Sequence, residues 1–352
     1  MVGLAAGSSA QEPGLGEIAR QAGRSFGTAV QGDWLESQAD YAAAVLRETT
    51  LLVPEYEGKW AAIQPEEGKF EFEPLSRVTR WAAANRKQVR GHALIWHQAM
   101  PDWLVAALGE GASRARALME AHFDRVLETT RGQIRDWDVV NEAVANPRGS
   151  DNPQDDGEFR DTPWLRALGK DYIATAFRLA RERDATLRLT LNDYGVEADS
   201  PWADEKRRRL LALARELVDA KVPLDAVGIQ AHLQMDHAFS AEKFRGFVAS
   251  LRELGLSVLI TEMDVREPSK LSGGIAARDE AVARYTKDFL AAAIDGGVRT
   301  ILTWGITDKH SWLVTDKDVA RKDGATHRGL PLDDDYRRKP MWKAMAEVLG
   351  KA

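Results

Sequence analysis

The sequence predicts an α/β fold, a single-domain (β/α)8 TIM barrel. Short strands rich in β-branched and apolar residues alternate with amphipathic helical segments through the whole chain, and eight such strands can be assigned. No linker rich in Pro, Gly or Ser divides the 352 residues. Eight strand-then-helix units in this length are typical of a closed parallel barrel. The alternative is an open doubly wound sheet. That fold would place a Gly-rich phosphate turn after its first strand, and the segment GTAVQGDW after Phe26 is not such a turn.

The predicted strands are bounded by turn residues and by polar positions. In chain order they are Phe26–Val30, Leu51–Glu55, Val89–Trp96, Ile134–Glu142, Leu187–Asn192, Ala226–Leu233, Val258–Asp264 and Thr300–Ile306. The longest connections, residues 145–163 and 313–331, follow the fourth and eighth strands. In a barrel, connections that follow strands lie at the C-terminal face, where sites are built.

Helices between the strands have recognisable starts and ends. Ser200-Pro201 and Thr162-Pro163 each predict an N-cap followed by proline in the first helical turn. Gly255 predicts the end of a helix whose apolar face carries Phe244, Phe247, Leu251 and Leu254.

Composition excludes several classes of function. The net charge is −6, with charges of both signs spread through the chain, so we expect no nucleic-acid partner. No apolar run is long enough to span a bilayer, so we expect no membrane insertion. With no cysteine, neither a disulfide framework nor a thiolate metal site can form. We expect a barrel domain over residues 23–352, acting as a monomer. Residues 1–22 are expected to form a flexible segment or a signal remnant, which predicts a secreted or periplasmic location.

Candidate functional residues are the polar and aromatic side chains at the C-terminal ends of the predicted strands. They comprise carboxylates, amides, histidines, aromatic rings and one lysine, with no metal-ligand pattern: Glu55, Lys59, His92, Trp96, Asn141, Glu142, Tyr194, Gln230, His232, Glu262, Asp264, Trp304 and Trp312. Taken singly, each has an ordinary structural interpretation as an ion-paired charge, a core histidine or a packed aromatic ring. Their common position at one face of the barrel favours a shared site.

Two of these carboxylates, Glu142 and Glu262, directly follow the apolar-biased runs IRDWDVVN and VLIT near the ends of the fourth and seventh predicted strands. A pair of glutamates facing one another suits glycoside hydrolysis, in which one carboxyl donates a proton and the other attacks the sugar or activates water. The tryptophans offer flat apolar faces on which pyranose rings can stack. Spacing in the sequence does not distinguish a retaining from an inverting arrangement.

Six motifs in order resemble family 10 of the glycoside hydrolases, the endo-β-1,4-xylanases, from about Phe26 to Val348. They are GHALIWHQAMPDWL from Gly91, WDVVNEA from Trp137, NDYG from Asn192, GIQAHL from Gly228, ITEMDV from Ile260 and TWGITDKHSWL from Thr303. A seventh segment, KPMW from Lys339, resembles the end of the family's domain. The resemblance implies a retaining enzyme that needs no cofactor and binds xylan or xylo-oligosaccharides.

The resemblance also implies roles for individual residues. Glu142 would be the acid/base and Glu262 the nucleophile, with His232 orienting Glu262 and with Asp264 and Tyr194 supporting the site. Asn141 would bind the 2-hydroxyl of the sugar at the cleaved bond. The remaining residues would bind or enclose the sugars beside it, namely Glu55, Lys59, His92, Gln230, Trp96, Trp304 and Trp312.

The chain departs from the family pattern after the second strand. The family has Pro-Glu-Asn followed by Lys three residues beyond the Asn, whereas this chain has Pro54-Glu55-Tyr56 and then Lys59. A tyrosine can donate one hydrogen bond and stack, but it cannot replace the paired donor and acceptor of an amide. We therefore expect altered recognition of the second sugar from the cleaved bond.

Three other functions remain open on the sequence. A related β-glycosidase on the same scaffold could act on glucans, aryl glycosides or decorated oligosaccharides. A metal-dependent barrel hydrolase would be expected to carry a His-x-His pair at the end of the first strand, and Phe26–Val30 has none. A non-catalytic carbohydrate-binding protein would be expected to have lost one of its catalytic carboxylates, and both glutamates are present.

Overall fold

The computed structural model describes residues 12–150, 152–154, 157–271 and 273–351. Its nine strands are β1 Ser25–Val30, β2 Leu51–Pro54, β3 Gln88–Gly91, β4 Ile134–Asn141, β5 Arg188–Asp193, β6 Ala226–Ile229, β7 His232–Gln234, β8 Ser257–Arg266 and β9 Thr300–Thr303. Strands β1 to β6, β8 and β9 pair in parallel with their neighbours, and β6 also pairs with β8. That last pairing closes the sheet, so the predicted eight-stranded barrel is confirmed.

Helices connect the strands around the outside of the barrel. They are α1 Leu15–Gln21, α2 Gly32–Ser37, α3 Ala39–Glu48, α4 Trp60–Ile63, α5 Glu73–Ala84, α6 Asp102–Leu108, α7 Ala112–Thr129, α8 Pro163–Leu168, α9 Asp171–Arg183, α10 Pro201–Asp219, α11 Ala241–Glu253, α12 Ile275–Asp295, α13 Trp312–Thr315 and α14 Pro340–Leu349. A short 3-10 helix spans Asp308–His310. Among the described residues, no helix combines the length and apolar character needed to cross a lipid bilayer.

The predicted caps form as expected. The hydroxyl of Ser200 accepts a hydrogen bond from the backbone N–H of Ala203 at 3.2 Å, and that of Thr162 accepts one from Leu165 at 3.0 Å. Each cap is followed by proline in the first turn of its helix. Gly255, which follows α11, has a φ of 82°, a conformation that glycine adopts without steric cost.

Several strands end earlier than the sequence predicts, and the backbone shows why. The predicted sixth strand is divided into β6 and β7 because Ala231 has a φ of 61°, outside the extended region. The fourth strand stops at Asn141 because Glu142 has a φ of 59°. The third ends at Gly91, although Leu94 and Ile95 still donate backbone hydrogen bonds to Asp138 and Val139 of β4.

Residues 15–21, which the sequence analysis assigned to an N-terminal segment, form α1 and pack on the barrel. Leu15 and Ala19 are fully buried. Glu48 links this end of the chain to the other. Its carboxylate accepts hydrogen bonds from the backbone of Leu15 at 3.1 Å, Arg338 at 2.9 Å and the indole of Trp342 at 2.8 Å. Residues 1–11, which carry the possible signal remnant, lie outside the described part of the chain.

Candidate active site

One cleft at the C-terminal ends of the strands collects almost all of the residues that the sequence singled out. Its volume is about 630 Å³. Of the predicted site residues, the cleft is lined by Glu55, Lys59, His92, Trp96, Asn141, Glu142, Tyr194, Gln230, His232, Glu262, Trp304 and Trp312. Asp264 is fully buried and lies behind His232. The cleft therefore brings both glutamates to one space.

Glu142 stands where β4 ends, with only 6% of the residue exposed. Its Oε1 accepts a hydrogen bond from the amide of Gln230 at 3.1 Å, and the amide nitrogen of Asn141 lies 3.4 Å away. Arg160 donates to its backbone carbonyl at 2.8 Å and keeps a guanidinium nitrogen 4.0 Å from Oε2. Burial raises the pKa of Glu142 above its ordinary value, although the charge of Arg160 opposes this effect.

Glu262 lies within β8 and experiences the opposite electrostatic environment. The amide of Asn192 donates to its Oε1 at 2.7 Å, and His232 Nε2 lies 3.3 Å from Oε2. His92 Nδ1 is 3.9 Å from Oε1. Burial acts to raise the pKa of Glu262, but the field of His92 and the contacts with His232 prevail and lower it to about 2. Glu262 is therefore ionised over the whole neutral and mildly acidic range.

His232 is itself held by Asp264, whose Oδ1 lies 3.0 Å from His232 Nδ1. Burial acts against the charged imidazole, but the carboxylates of Asp264 and Glu262 raise the pKa of His232 well above its ordinary value. A protonated imidazole donates from both nitrogens, so His232 bridges the two acids. Trp312 donates its indole N–H to the second oxygen of Asp264, which fixes the other side of this group.

Side-chain amides connect the two glutamates. Asn192 Nδ2 donates to Asn141 Oδ1 at 2.8 Å as well as to Glu262, and Gln230 Nε2 donates to Asn141 Oδ1 at 3.2 Å as well as to Glu142. The hydroxyl of Thr261 donates to Asn192 Oδ1 at 2.7 Å, which fixes the orientation of that amide. These hydrogen bonds fix the orientation of both carboxylates in the cleft.

Gly228 on β6 makes room for this amide. A Cβ built at residue 228 would lie 2.2 Å from Asn192 Oδ1 and 2.9 Å from Thr261 Cγ2. Any larger residue would displace Asn192 and with it the hydrogen bond to Glu262. The glycine is thus part of the site although it lacks a functional group.

One end of the cleft is formed by Lys59 and its aromatic neighbours. The Lys59 ammonium lies 4.5 Å from the ring centre of Trp96 and 5.7 Å from that of Trp304. Burial lowers the pKa of Lys59, and the nearby carboxylates of Glu262 and Glu55 act against this. Glu55 accepts a hydrogen bond from Gln31 at 3.1 Å. A cation, a carboxylate and aromatic faces together suit a ligand that carries many hydroxyls on apolar rings.

Tyr194 contacts Arg160, the arginine beside Glu142. Its hydroxyl accepts hydrogen bonds from Asn146 at 2.8 Å and from Arg160 at 3.0 Å. Its ring lies 5.4 Å from the Arg160 guanidinium and 4.8 Å from the Lys206 ammonium. Tyr194 therefore supports Arg160, which in turn contacts the backbone and carboxylate of Glu142.

Four supporting residues were not assigned a role from sequence. Asn192 was placed at a strand end, but its contact with Glu262 has no signal beyond the NDYG motif. Asp138 is an acid inside a buried strand, and this pattern could have predicted that it pairs with a buried base. It contacts His92 at 2.9 Å and Arg90 at 2.6 Å. Arg160 lies in a long polar loop, and Glu197 accepts from the backbone of Ala231 at 3.0 Å. Neither position could be predicted from the local pattern.

One group within the described residues has the spacing of a metal site. Ligand-type atoms of His92, Asp138 and Glu262 lie within 4.8 Å of one another. The Nδ1 atom of His92 already pairs with Asp138, whose other oxygen accepts from Arg90. Glu262 is likewise held by His232. The ligand-type atoms are therefore already used in hydrogen bonds, and the positive charge of Arg90 next to them would repel a metal cation. The set fits a hydrogen-bond network better than a cation site.

Comparison with known proteins identifies the family. The model of glycosyl hydrolase family 10 matches residues 14–348. Endo-1,4-beta-xylanase B of Thermotoga neapolitana is 30% identical, with 99% of this chain and 95% of that protein covered. Endo-1,4-beta-xylanase 1 of Humicola insolens is 31% identical, with 98% and 76% covered. The crystal structure of xylanase 10B from Thermotoga petrophila with xylobiose superposes with a TM-score of 0.85 at 30% identity, covering 96% of this chain and 98% of that one. The chain belongs to glycosyl hydrolase family 10.

Proposed function

We propose that the protein is an endo-acting, retaining β-1,4-xylanase in which Glu262 is the nucleophile and Glu142 the acid/base. The observation that carries the proposal is the pair of buried glutamates whose pKa values are displaced in opposite directions within one cleft. Such a division of roles between two carboxyl groups is the requirement for glycoside hydrolysis. Relatives named as xylanases, and one solved with xylobiose, favour xylan as the substrate.

In the first step, the ionised Glu262 attacks the anomeric carbon while Glu142 donates its proton to the leaving glycosidic oxygen. The C–O bond to the leaving sugar breaks, and a covalent glycosyl ester forms on Glu262. In the second step, Glu142, now a carboxylate, takes a proton from water as the water oxygen attacks the same carbon. Glu262 leaves as a carboxylate, so two inversions give net retention.

The groups around the glutamates suit this chemistry. We propose that Asn141, held by Asn192 and Gln230, binds the hydroxyl next to the reacting carbon. Glu55, Lys59, His92 and Gln230 would bind hydroxyls of neighbouring sugars, with rings stacked on Trp96, Trp304 and Trp312. The electrostatic field of His92 and the contacts with His232 lower the pKa of Glu262 and so favour its ionised form for attack.

Product analysis tests the substrate and the mechanism. On xylan we expect a series of xylo-oligosaccharides from the earliest times, because internal bonds are cut, with little release from carboxymethylcellulose under the same conditions. Proton NMR of the first product should show the β-anomer before mutarotation. Early release of the α-anomer would contradict retention, and preference for the glucan would favour the alternative β-glycosidase assignment.

A variant tests the nucleophile separately. Glu262→Ala should lose turnover, and azide should partly restore it with activated aryl xylosides by forming a glycosyl azide. Glu253→Ala, which removes an exposed glutamate at the end of α11, is the matched control and should retain full activity. Full activity of Glu262→Ala in the absence of azide would show that Glu262 is not the nucleophile.

A further inference from the structure

Arg266, the last residue of β8, differs from the other arginines at the C-terminal face of the barrel. Its side chain is partly buried and lines both the main cleft and an adjoining cavity of about 540 Å³. Within the described part of the chain, no carboxylate forms an ion pair with it. The following residue, Glu267, is instead bound by Arg278 at 2.7 Å and 2.9 Å. Arg328 is similarly bound to Asp279 at 2.7 Å.

An unpaired guanidinium in this position needs an explanation. Arginine stays charged in proteins, and removing part of its hydration has a free-energy cost unless an anion or several acceptors replace the water. The neighbouring arginines meet this condition with carboxylates of the protein. Arg266 lines two spaces that a ligand can enter, so an anionic ligand there could pair with its guanidinium.

The pleat of β8 places Arg266 on the substrate side. Residues two positions apart on a regular strand point to the same face, and β7 pairs with Asp264–Arg266 of β8 without a register shift, so Arg266 shares the face of Asp264. Four residues of extended strand span about 13 Å. Arg266 thus lies further along β8 than Glu262, next to β7, whereas Glu55 and Lys59 follow β2.

The adjoining cavity has the size and charge for one substituent. Its volume falls within the range of small-molecule sites. Lys270 and Lys322 also line it, and Arg321 is already bound to backbone carbonyls of Pro268 and Ser269. The acids that line it are Asp236, Glu267 and Asp318, of which Glu267 is neutralised by Arg278. Arg266 is the cation that both spaces share.

We propose that Arg266 binds the carboxylate of a uronic acid substituent on the xylan chain, with the main chain in the cleft and the substituent in the adjoining cavity. The inference rests on the proposed function and adds the class of substrate that the site prefers. A planar guanidinium can bind a carboxylate through two parallel hydrogen bonds, which gives both affinity and orientation.

Three substrates separate charge from size. They are a β-1,4-xylo-oligosaccharide with one glucuronic acid, its undecorated parent, and the decorated compound with its carboxyl reduced to an alcohol. For the native enzyme, kcat/KM should be highest for the acidic compound. In Arg266→Met, which keeps much of the apolar stem, the ratio of acidic to reduced substrate should fall by about 10- to 100-fold. Arg266→Lys should lie between, because it keeps the charge without the planar fork.

The controls distinguish the possible failures. Arg245→Met removes a half-exposed arginine of α11 that lies 3.8 Å from Asp295, and it should leave the ratio unchanged. An unchanged ratio in Arg266→Met, with a melting temperature equal to that of the native enzyme, would overturn the proposal. If no xylo-oligosaccharide is hydrolysed, the proposed function fails. Calorimetric titration of the same three compounds then decides whether Arg266 binds the carboxylate.

Discussion

Replacing His232 by glutamine should shift the acid limb of the pH profile, because His232 helps to keep Glu262 ionised. The pKa of Glu262 is lowered from 4.5 to about 2 although burial opposes this. At 1.36 kcal/mol per pH unit, the difference favours the carboxylate by about 3 kcal/mol. Contact with His232 supplies a substantial share of it, beside the field of His92 and the hydrogen bond from Asn192. Glutamine retains an amide donor but removes the charge.

We therefore expect the pKa of Glu262 to rise by about one unit in the variant. The sign follows from the mechanism. The nucleophile must be ionised, so a higher pKa moves the fall in kcat/KM at low pH to a higher pH. We also expect kcat to fall by about 10- to 100-fold at the optimum, since the carboxylate loses an orienting contact.

The assay is kcat/KM for an activated aryl xylobioside between pH 2.5 and 7, measured over times shorter than acid unfolding. The control is His310→Gln. His310 stacks on Trp34 and bonds to Gln38, and it does not line the cleft. An acid limb at the same pH in His232→Gln and the native enzyme would refute the electrostatic role of His232. If kcat falls while the acid limb of the pH profile stays at the same pH, His232 only orients Glu262.

Three further changes give distinct outcomes. Glu142→Gln should slow poor leaving groups far more than activated aryl ones, and it should remove the basic limb, which arises as Glu142 loses its proton with rising pH; equal effects on all leaving groups would contradict its role. Tyr56→Asn should change KM for xylobiosides more than for xylosides, because Tyr56 is 51% exposed beside Lys59; an unchanged kinetic profile would count against this. Glu48→Ala should lower the free energy of unfolding in urea by about 3–5 kcal/mol, because Arg338 loses a buried partner. The exposed Glu17→Ala should leave it nearly unchanged.

The strand pattern was sufficient to predict the barrel, because strands that are buried on both sides form continuous apolar runs. Their ends were predicted less well. Glu142 and Ala231 are not residues that favour the left-handed region, so nothing in the local sequence indicated that the strands would stop there. The helix α1 was not predicted as an ordered element. Its burial depends on contacts with β1, which follows it, and with α14, which lies at the other end of the chain.

The residues that line the cleft were predictable because the fold brings strand ends together. The groups behind them were not. Arg160 reaches Glu142 from a loop that carries no periodic signal, and Asn192 contacts Glu262 only because Gly228 leaves space for it. The pKa values depend on burial and on charges far apart in sequence. For this reason neither the rise at Glu142 nor the fall at Glu262 could be assigned from local sequence.

The left-handed backbone at Glu142 has a consequence for the evolution of the enzyme. A non-glycine residue in that conformation costs about 1–3 kcal/mol, and a buried carboxylate adds a further cost. At residue 142, thermal stability therefore favours a residue other than glutamate, whereas turnover requires the glutamate. A library selected for survival at high temperature alone, without any screen for hydrolysis, should accumulate glycine or asparagine at residue 142. The most durable barrels it yields would be inert.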